Sequence, residues 1–78
     1  MKKLEFVKQV MQNITNGSKL SLVKLIYDTA KDAEIEPRIG LKEAKDFADD
    51  HYLLNTRANA EKIWNFSNGK INADGSTK

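Results

Sequence analysis

Apolar residues return every three to four positions in four separate stretches of this chain, and turn-forming residues separate the stretches. That period places the apolar side chains of each stretch along one side of a helix. The first stretch is about Lys3–Ile14, where Leu4, Val7, Val10, Met11 and Ile14 recur at helical spacing, while Glu5, Lys8, Gln9 and Gln12 fill the other face. Leu4-Glu5-Phe6 alternates like a strand, but Phe6-Val7 and Val10-Met11 break the alternation. Asn16-Gly17 is a stop, because glycine accepts the left-handed conformation that closes many helices. The second stretch is about Lys19–Ala33, with Ser18 as the expected N-cap. Leu20, Leu22, Val23, Ile26, Tyr27, Ala30 and Ala33 make its wide apolar face, and Lys24 and Asp28 are placed to pair across one turn.

Pro37 disfavours helix at the residue before it, so Ile35-Glu36-Pro37-Arg38-Ile39 reads as a connector with two apolar anchors. The third stretch, about Leu41–Tyr52, gathers Leu41, Ala44, Phe47, Ala48 and His51 on one face. The fourth, about Arg57–Asn68, starts at Thr56, ends at Asn68-Gly69 and gathers Ala60, Ile63, Trp64 and Ser67. Trp64 and Phe66 lie about 160° apart around that helix, so one of them is expected at the edge of the core, and Trp64, which is in the stripe, is expected inside. Ile71 is left as a short extension or strand. The expected architecture is mainly α: a small four-helix domain over residues 1–72 in which the second and third helices form a hairpin, followed by a flexible tail over 73–78.

Size and composition narrow the function. A chain of 78 residues buries only about 60–65% of the surface it exposes when unfolded, so one core is all it can build. There is no cysteine, which removes disulfides, thiolate zinc sites and thiol catalysis together. Met1-Lys2-Lys3 is basic, but no apolar run follows, so neither a signal peptide nor a membrane span is expected and the default location is the cytoplasm. Asn13-Ile14-Thr15, Asn16-Gly17-Ser18 and Asn65-Phe66-Ser67 match the glycosylation pattern and, without a secretion signal, read as chance matches.

The net charge of +2 hides a pattern. Residues 1–24 carry five lysines and one glutamate, residues 25–50 four cations and eight anions, and residues 51–78 return to a net +2. Such segregation is either scattered solvated charge or a dipolar surface that steers a partner.

Catalytic signals are weak. No serine or threonine stands in a nucleophile elbow, and no glycine-rich phosphate loop is present. Asp49 and Asp50 are adjacent, so on a helix they point about 100° apart. His51 has Phe47 and Ala48 at the positions where a helical metal ligand would stand, so it reads as a rim residue of the core with one hydrogen bond. No enzyme activity, cofactor or metal is expected. A helix-turn-helix reading would make Leu41–Tyr52 the recognition helix, but Glu43, Asp46, Asp49 and Asp50 would repel phosphate. The basic first helix, with Lys2, Lys3 and Lys8, keeps a nucleic-acid-binding alternative open.

The run Gly40-Leu41-Lys42-Glu43-Ala44-Lys45-Asp46-Phe47 resembles the C-terminal domain of the bacterial ribosomal stalk protein. Lys19-Leu20-Ser21-Leu22-Val23-Lys24-Leu25-Ile26-Tyr27 is similar to the helix that precedes that run in the family. Ala33–Arg38 stands as an insertion between the two, and Tyr27 occupies a place where the family commonly has arginine. The same helix pair recurs in small bacterial and phage proteins. The resemblance implies a docking surface for a protein of the translation or transcription machinery, made by Lys19, Lys24 and Lys45 with Val23 beside them, and a tight interhelical turn at Gly40. It also implies an alternative fold, because the stalk domain adds a three-stranded sheet to the helices. The expected function is therefore a non-enzymatic, protein-binding adaptor, with a phage-encoded modulator of the host machinery as one form of it.

Overall fold

A computed structural model of the chain describes residues 2–36 and 38–77. Four helices follow in order: α1 (Lys3–Thr15), α2 (Lys19–Asp32), α3 (Leu41–His51) and α4 (Arg57–Ser67). The fold is mainly α. The only strand pairing among the described residues is a single antiparallel bridge between Ile71 and Thr77. The α+β alternative fails at Leu4–Val10, which lies wholly inside α1. Every pair of helices packs together except α1 and α3, which occupy the diagonal.

The core joins all four helices. Phe6, Val10, Leu22, Ile26, Phe47 and Ile63 are its largest fully buried apolar side chains. Ala44, Ala48 and Ala60 are equally buried, and their small size lets neighbouring backbones approach. Phe47 stacks on Phe66 with ring centroids 3.9 Å apart, and Phe6 meets Trp64 edge to face at 5.1 Å. Ile39 is buried and Ile35 half-buried, so the connector is anchored at both ends as expected.

Several faces are rotated from the expected ones. Phe6 is in the core and Leu4 is not, because α1 turns Phe6, Val7 and Val10 towards α2 and α4. Leu20, Leu41 and Ala33, all expected inside, are exposed, each at or just beyond a helix end where no neighbour covers it. Phe66 is buried and Trp64 half-buried, so the tryptophan is the edge residue of the two.

Helix ends also differ in how they are made. Thr56 caps α4, its hydroxyl accepting from the Asn59 backbone N–H at 3.2 Å. Ser18 makes no such bond to α2. α2 ends at Asp32, where Ala33 caps it and Glu34 takes a positive φ of 52° in the position glycine usually fills. Pro37, the expected terminator, lies outside the described residues. Gly40 adopts an extended φ of −79°, and a Cβ there would meet nothing within 4 Å, so the tight turn expected at Gly40 is not formed. Beyond α4, residues 71–77 close a small loop: Asn72 N–H donates to Ser76 O at 2.8 Å, and the Asp74 carboxylate accepts from the Ser76 backbone and hydroxyl. Those contacts fall in the segment expected to be a flexible tail.

Candidate functional site

Two turns meet at one end of the bundle. Gly17 joins α1 to α2 with φ of 71°, and a Cβ built on it would lie 3.5 Å from the Tyr52 hydroxyl. Across the same junction the Asn55 side-chain amide donates to the Thr15 hydroxyl oxygen at 2.7 Å. The loop between α3 and α4 is braced from below by Asn59, which is buried. Its side-chain amide donates to the carbonyls of His51 and Leu54 at 2.6 and 2.8 Å. A loop tied at both sides in this way holds Leu53 and Leu54 outward. Leu53 is 86% exposed and Leu54 60%. Leu20, in the first turn of α2 next to Lys19, is 85% exposed.

Charge borders the leucines. Lys19 Nζ lies 2.7 Å from an Asp49 carboxylate oxygen and 6.0 Å from the centre of the Tyr52 ring. The hydrogen bond from Lys19 holds the Asp49 carboxyl below the usual aspartate range. The charge of Lys19 and, more weakly, that of Lys45 act in the same direction, and partial desolvation opposes them. The same bond raises Lys19 above the usual lysine value. Both side chains are open to water, so this pair orients the groups more than it stabilises the fold.

The four residues expected to form one surface are therefore divided. Lys19 and Lys45 both flank Asp49. Lys24 lies elsewhere, along a shallow groove with Gln9, Asn13 and Asp28 between α1 and α2. Its expected ion pair with Asp28 does not form: among the described residues the ion pairs are Lys3–Glu61 and Lys19–Asp49. Val23 is buried, because its place on α2 faces the core, and it is not a surface contact. The residues that sequence reasoning missed are the leucines. Leu53-Leu54 stands outside every helical stripe, directly after the third helix, and an apolar pair in that place was the available signal.

His51 is half-buried and its Nδ1–H donates to the Phe47 carbonyl at 2.9 Å, which fixes that nitrogen as the protonated one. The ring stacks on Phe47 at 3.9 Å. Among the described residues no three His, Cys, Asp or Glu side chains gather as a metal would need. No helix among them is long and apolar enough to cross a membrane.

Fold and surface together define a small four-helix domain with exposed leucines in the first turn of α2 and in the loop between α3 and α4. No family model, curated protein or solved structure matches the chain.

Proposed function

We propose that the chain is a non-enzymatic adaptor that docks a protein partner on the bundle end made by Leu20, Leu53 and Leu54. The observation that carries the reading is the near-complete exposure of Leu20 and Leu53 on a rigidly braced end of the fold. Singly exposed leucines are ordinary, but three of them on turns that meet at one end, with charged groups beside them, fit the make-up of a contact patch: apolar centre, polar rim. Lys19, Asp49 and Lys45 supply the rim. With Val23 buried and Lys24 on a different face, the site moves from the middle of α2 to its first turn and the loop after α3.

The resemblance of Gly40–Phe47 to the stalk-protein helix supports a partner in the translation or transcription machinery, and a phage-encoded modulator of that machinery fits the same reading. The basic first helix favours a nucleic-acid binder less than its composition suggests, because Lys3 is already paired with Glu61 at 2.8 Å. Quantitative capture from host lysate with Leu20→Ser/Leu53→Ser beside the unchanged chain tests the reading. A captured protein that falls about tenfold or more with the variant, while melting stays constant, supports it. An identical set of captured proteins, or capture dominated by nuclease-sensitive material, contradicts it.

A further inference from the structure

Two helices of this chain stop in the same way, and each stop is an asparagine followed by a glycine. After α1, Asn16 is the C-cap and Gly17 takes a φ of 71°. Gly17 N–H donates to the Ile14 carbonyl at 3.2 Å, and Ser18 N–H to the Asn13 carbonyl at 2.9 Å. After α4, Asn68 is the C-cap and Gly69 takes a φ of 73°. Gly69 N–H donates to the Phe66 carbonyl at 3.0 Å, and Lys70 N–H to the Asn65 carbonyl at 2.9 Å. The two backbones match, and both have the double bond pattern of a glycine-closed helix end.

The asparagine side chains differ. Asn68 is half-buried, and its side-chain amide donates to the Trp64 carbonyl at 2.9 Å. Ile35 lies over Gly69 so closely that a Cβ there would sit 3.1 Å from it. Asn16 is exposed, and its side chain makes no hydrogen bond among the described residues. A Cβ on Gly17 would meet only the Tyr52 hydroxyl, at 3.5 Å.

An asparagine followed by glycine can lose its amide without an enzyme. The glycine backbone nitrogen gives its proton to water and forms a bond to the asparagine Cγ, and the side-chain nitrogen leaves as ammonia. Water then opens the cyclic imide at either carbonyl, giving aspartate or isoaspartate. Glycine favours the step because, without a Cβ, it lets the peptide plane rotate until its nitrogen reaches Cγ. At Asn16, where ψ is −3°, that rotation breaks the bond from Gly17 to Ile14. At Asn68 it breaks the matching bond from Gly69 to Phe66, must also release the side-chain amide from Trp64, and presses against Ile35.

We propose that Asn16 is a site of spontaneous deamidation in the folded protein and that the fold shields Asn68 from the same reaction. The assignment stands apart from the docking reading. Either product adds a carboxylate three residues before Lys19, on the turn where the Thr15 hydroxyl accepts from Asn55 at 2.7 Å. The isoaspartyl product also lengthens the main chain at that turn.

The whole chain, held at neutral pH below its melting transition, is sampled over time by peptide mapping with mass spectrometry. Tryptic peptides Gln9–Lys19 and Ile63–Lys70 carry the two sites separately, and fragmentation distinguishes Asn16 from Asn13 and Asn68 from Asn65. Asn16 is expected to convert about tenfold or more faster than Asn68, the factor that one retained hydrogen bond with its packing supplies. Both acids should appear at position 16. In denaturing urea the two rates should converge, because local sequence is then all that distinguishes them. Asn16→Gln, whose longer side chain must close a larger ring, should remove most of the early ammonia release and leave the melting temperature unchanged. Equal rates at the two sites in the folded chain would overturn the proposal, as would a faster Asn68. A gap that persists undiminished in urea would also overturn it, since the fold would then not be its cause. Ammonia release that is unchanged in Asn16→Gln would do the same.

Discussion

Phe47 occupies the centre of a three-ring column. It stacks on Phe66 at 3.9 Å on one side and on His51 at 3.9 Å on the other, and it is 1% exposed. Phe47→Ala is expected to cost about 3–5 kcal/mol in urea unfolding, the range for removing a buried aromatic ring. In a domain this small that is a large share of the total stability. Phe47, Ile26 and Val10 were readable as core from spacing alone, because a mid-helix residue on the apolar stripe has neighbours on every side. Leu20 and Leu41 have the same apolar character but stand in the first turns of their helices, where the fold places nothing over them. Periodicity reports which way a side chain points and not whether a neighbour is there to meet it. Two glycines make a contrast that sequence could not draw. Gly69 has φ of 73°, and a Cβ on it would sit 3.1 Å from an Ile35 methyl. Gly69→Ala should cost at least about 1–2 kcal/mol, the left-handed penalty alone. Gly40 has an ordinary φ with open space around it, so Gly40→Ser at the α3 N-cap should be neutral or stabilising by up to about 1 kcal/mol. Thermal melts of the two variants should move in opposite directions or leave Gly40→Ser unmoved.

The four helices were legible almost to their ends, because each apolar stripe is long and each gap holds a turn residue. Cap chemistry was legible only in part. Thr56 bonds the Asn59 N–H, whereas Ser18, an equally good capping residue, makes no side-chain cap bond. The difference lies in the backbone: Thr56 is extended, with φ of −126° and ψ of 154°, while Ser18 has ψ of 72°. Thr56→Ala is therefore expected to lower stability by about 1 kcal/mol, and Ser18→Ala to change it by less than half of that. Equal losses in chemical unfolding would show that Ser18 caps its helix in solution. The α3–α4 loop is the element that gives the site its shape. Asn59 reaches back to the Leu54 carbonyl in the loop and the His51 carbonyl at the end of α3, a bond pattern that no short-range sequence motif announces, since the partners lie five and eight residues away.

Across the molecule, charge segregated along the chain is partly re-paired in space. Lys3 of the basic first segment meets Glu61, and Lys19 of the same segment meets Asp49 of the acidic one. The titration of Asp49 tests that pairing. Its folded value is depressed, so its contribution to stability is present above the unfolded value and is lost as pH falls through the lower folded value. Lys19, which is raised, holds its share below its unfolded value and loses it as pH rises through the folded one. Carboxyl NMR should place the Asp49 midpoint below the usual aspartate value, and Lys19→Met should return it towards that value. A midpoint that ignores the substitution would break the link between α2 and α3 at this end. The proposed docking end takes its character from apolar exposure as well as charge, which separates it from a polyanion site. Backbone-driven nucleic-acid binding loses about 10³-fold or more between 50 and 200 mM salt when six phosphates are contacted. The most direct test is the dissociation constant of the captured partner, measured by calorimetry at both salt concentrations for the unchanged chain, Leu20→Ser/Leu53→Ser and Lys19→Glu/Lys45→Glu. The leucine variant should weaken binding by about tenfold or more at both salt concentrations, and the lysine variant should weaken it chiefly at the lower one. Full-strength binding by the leucine variant, with affinity collapsing in salt, would contradict the assignment of this end as a protein-docking surface.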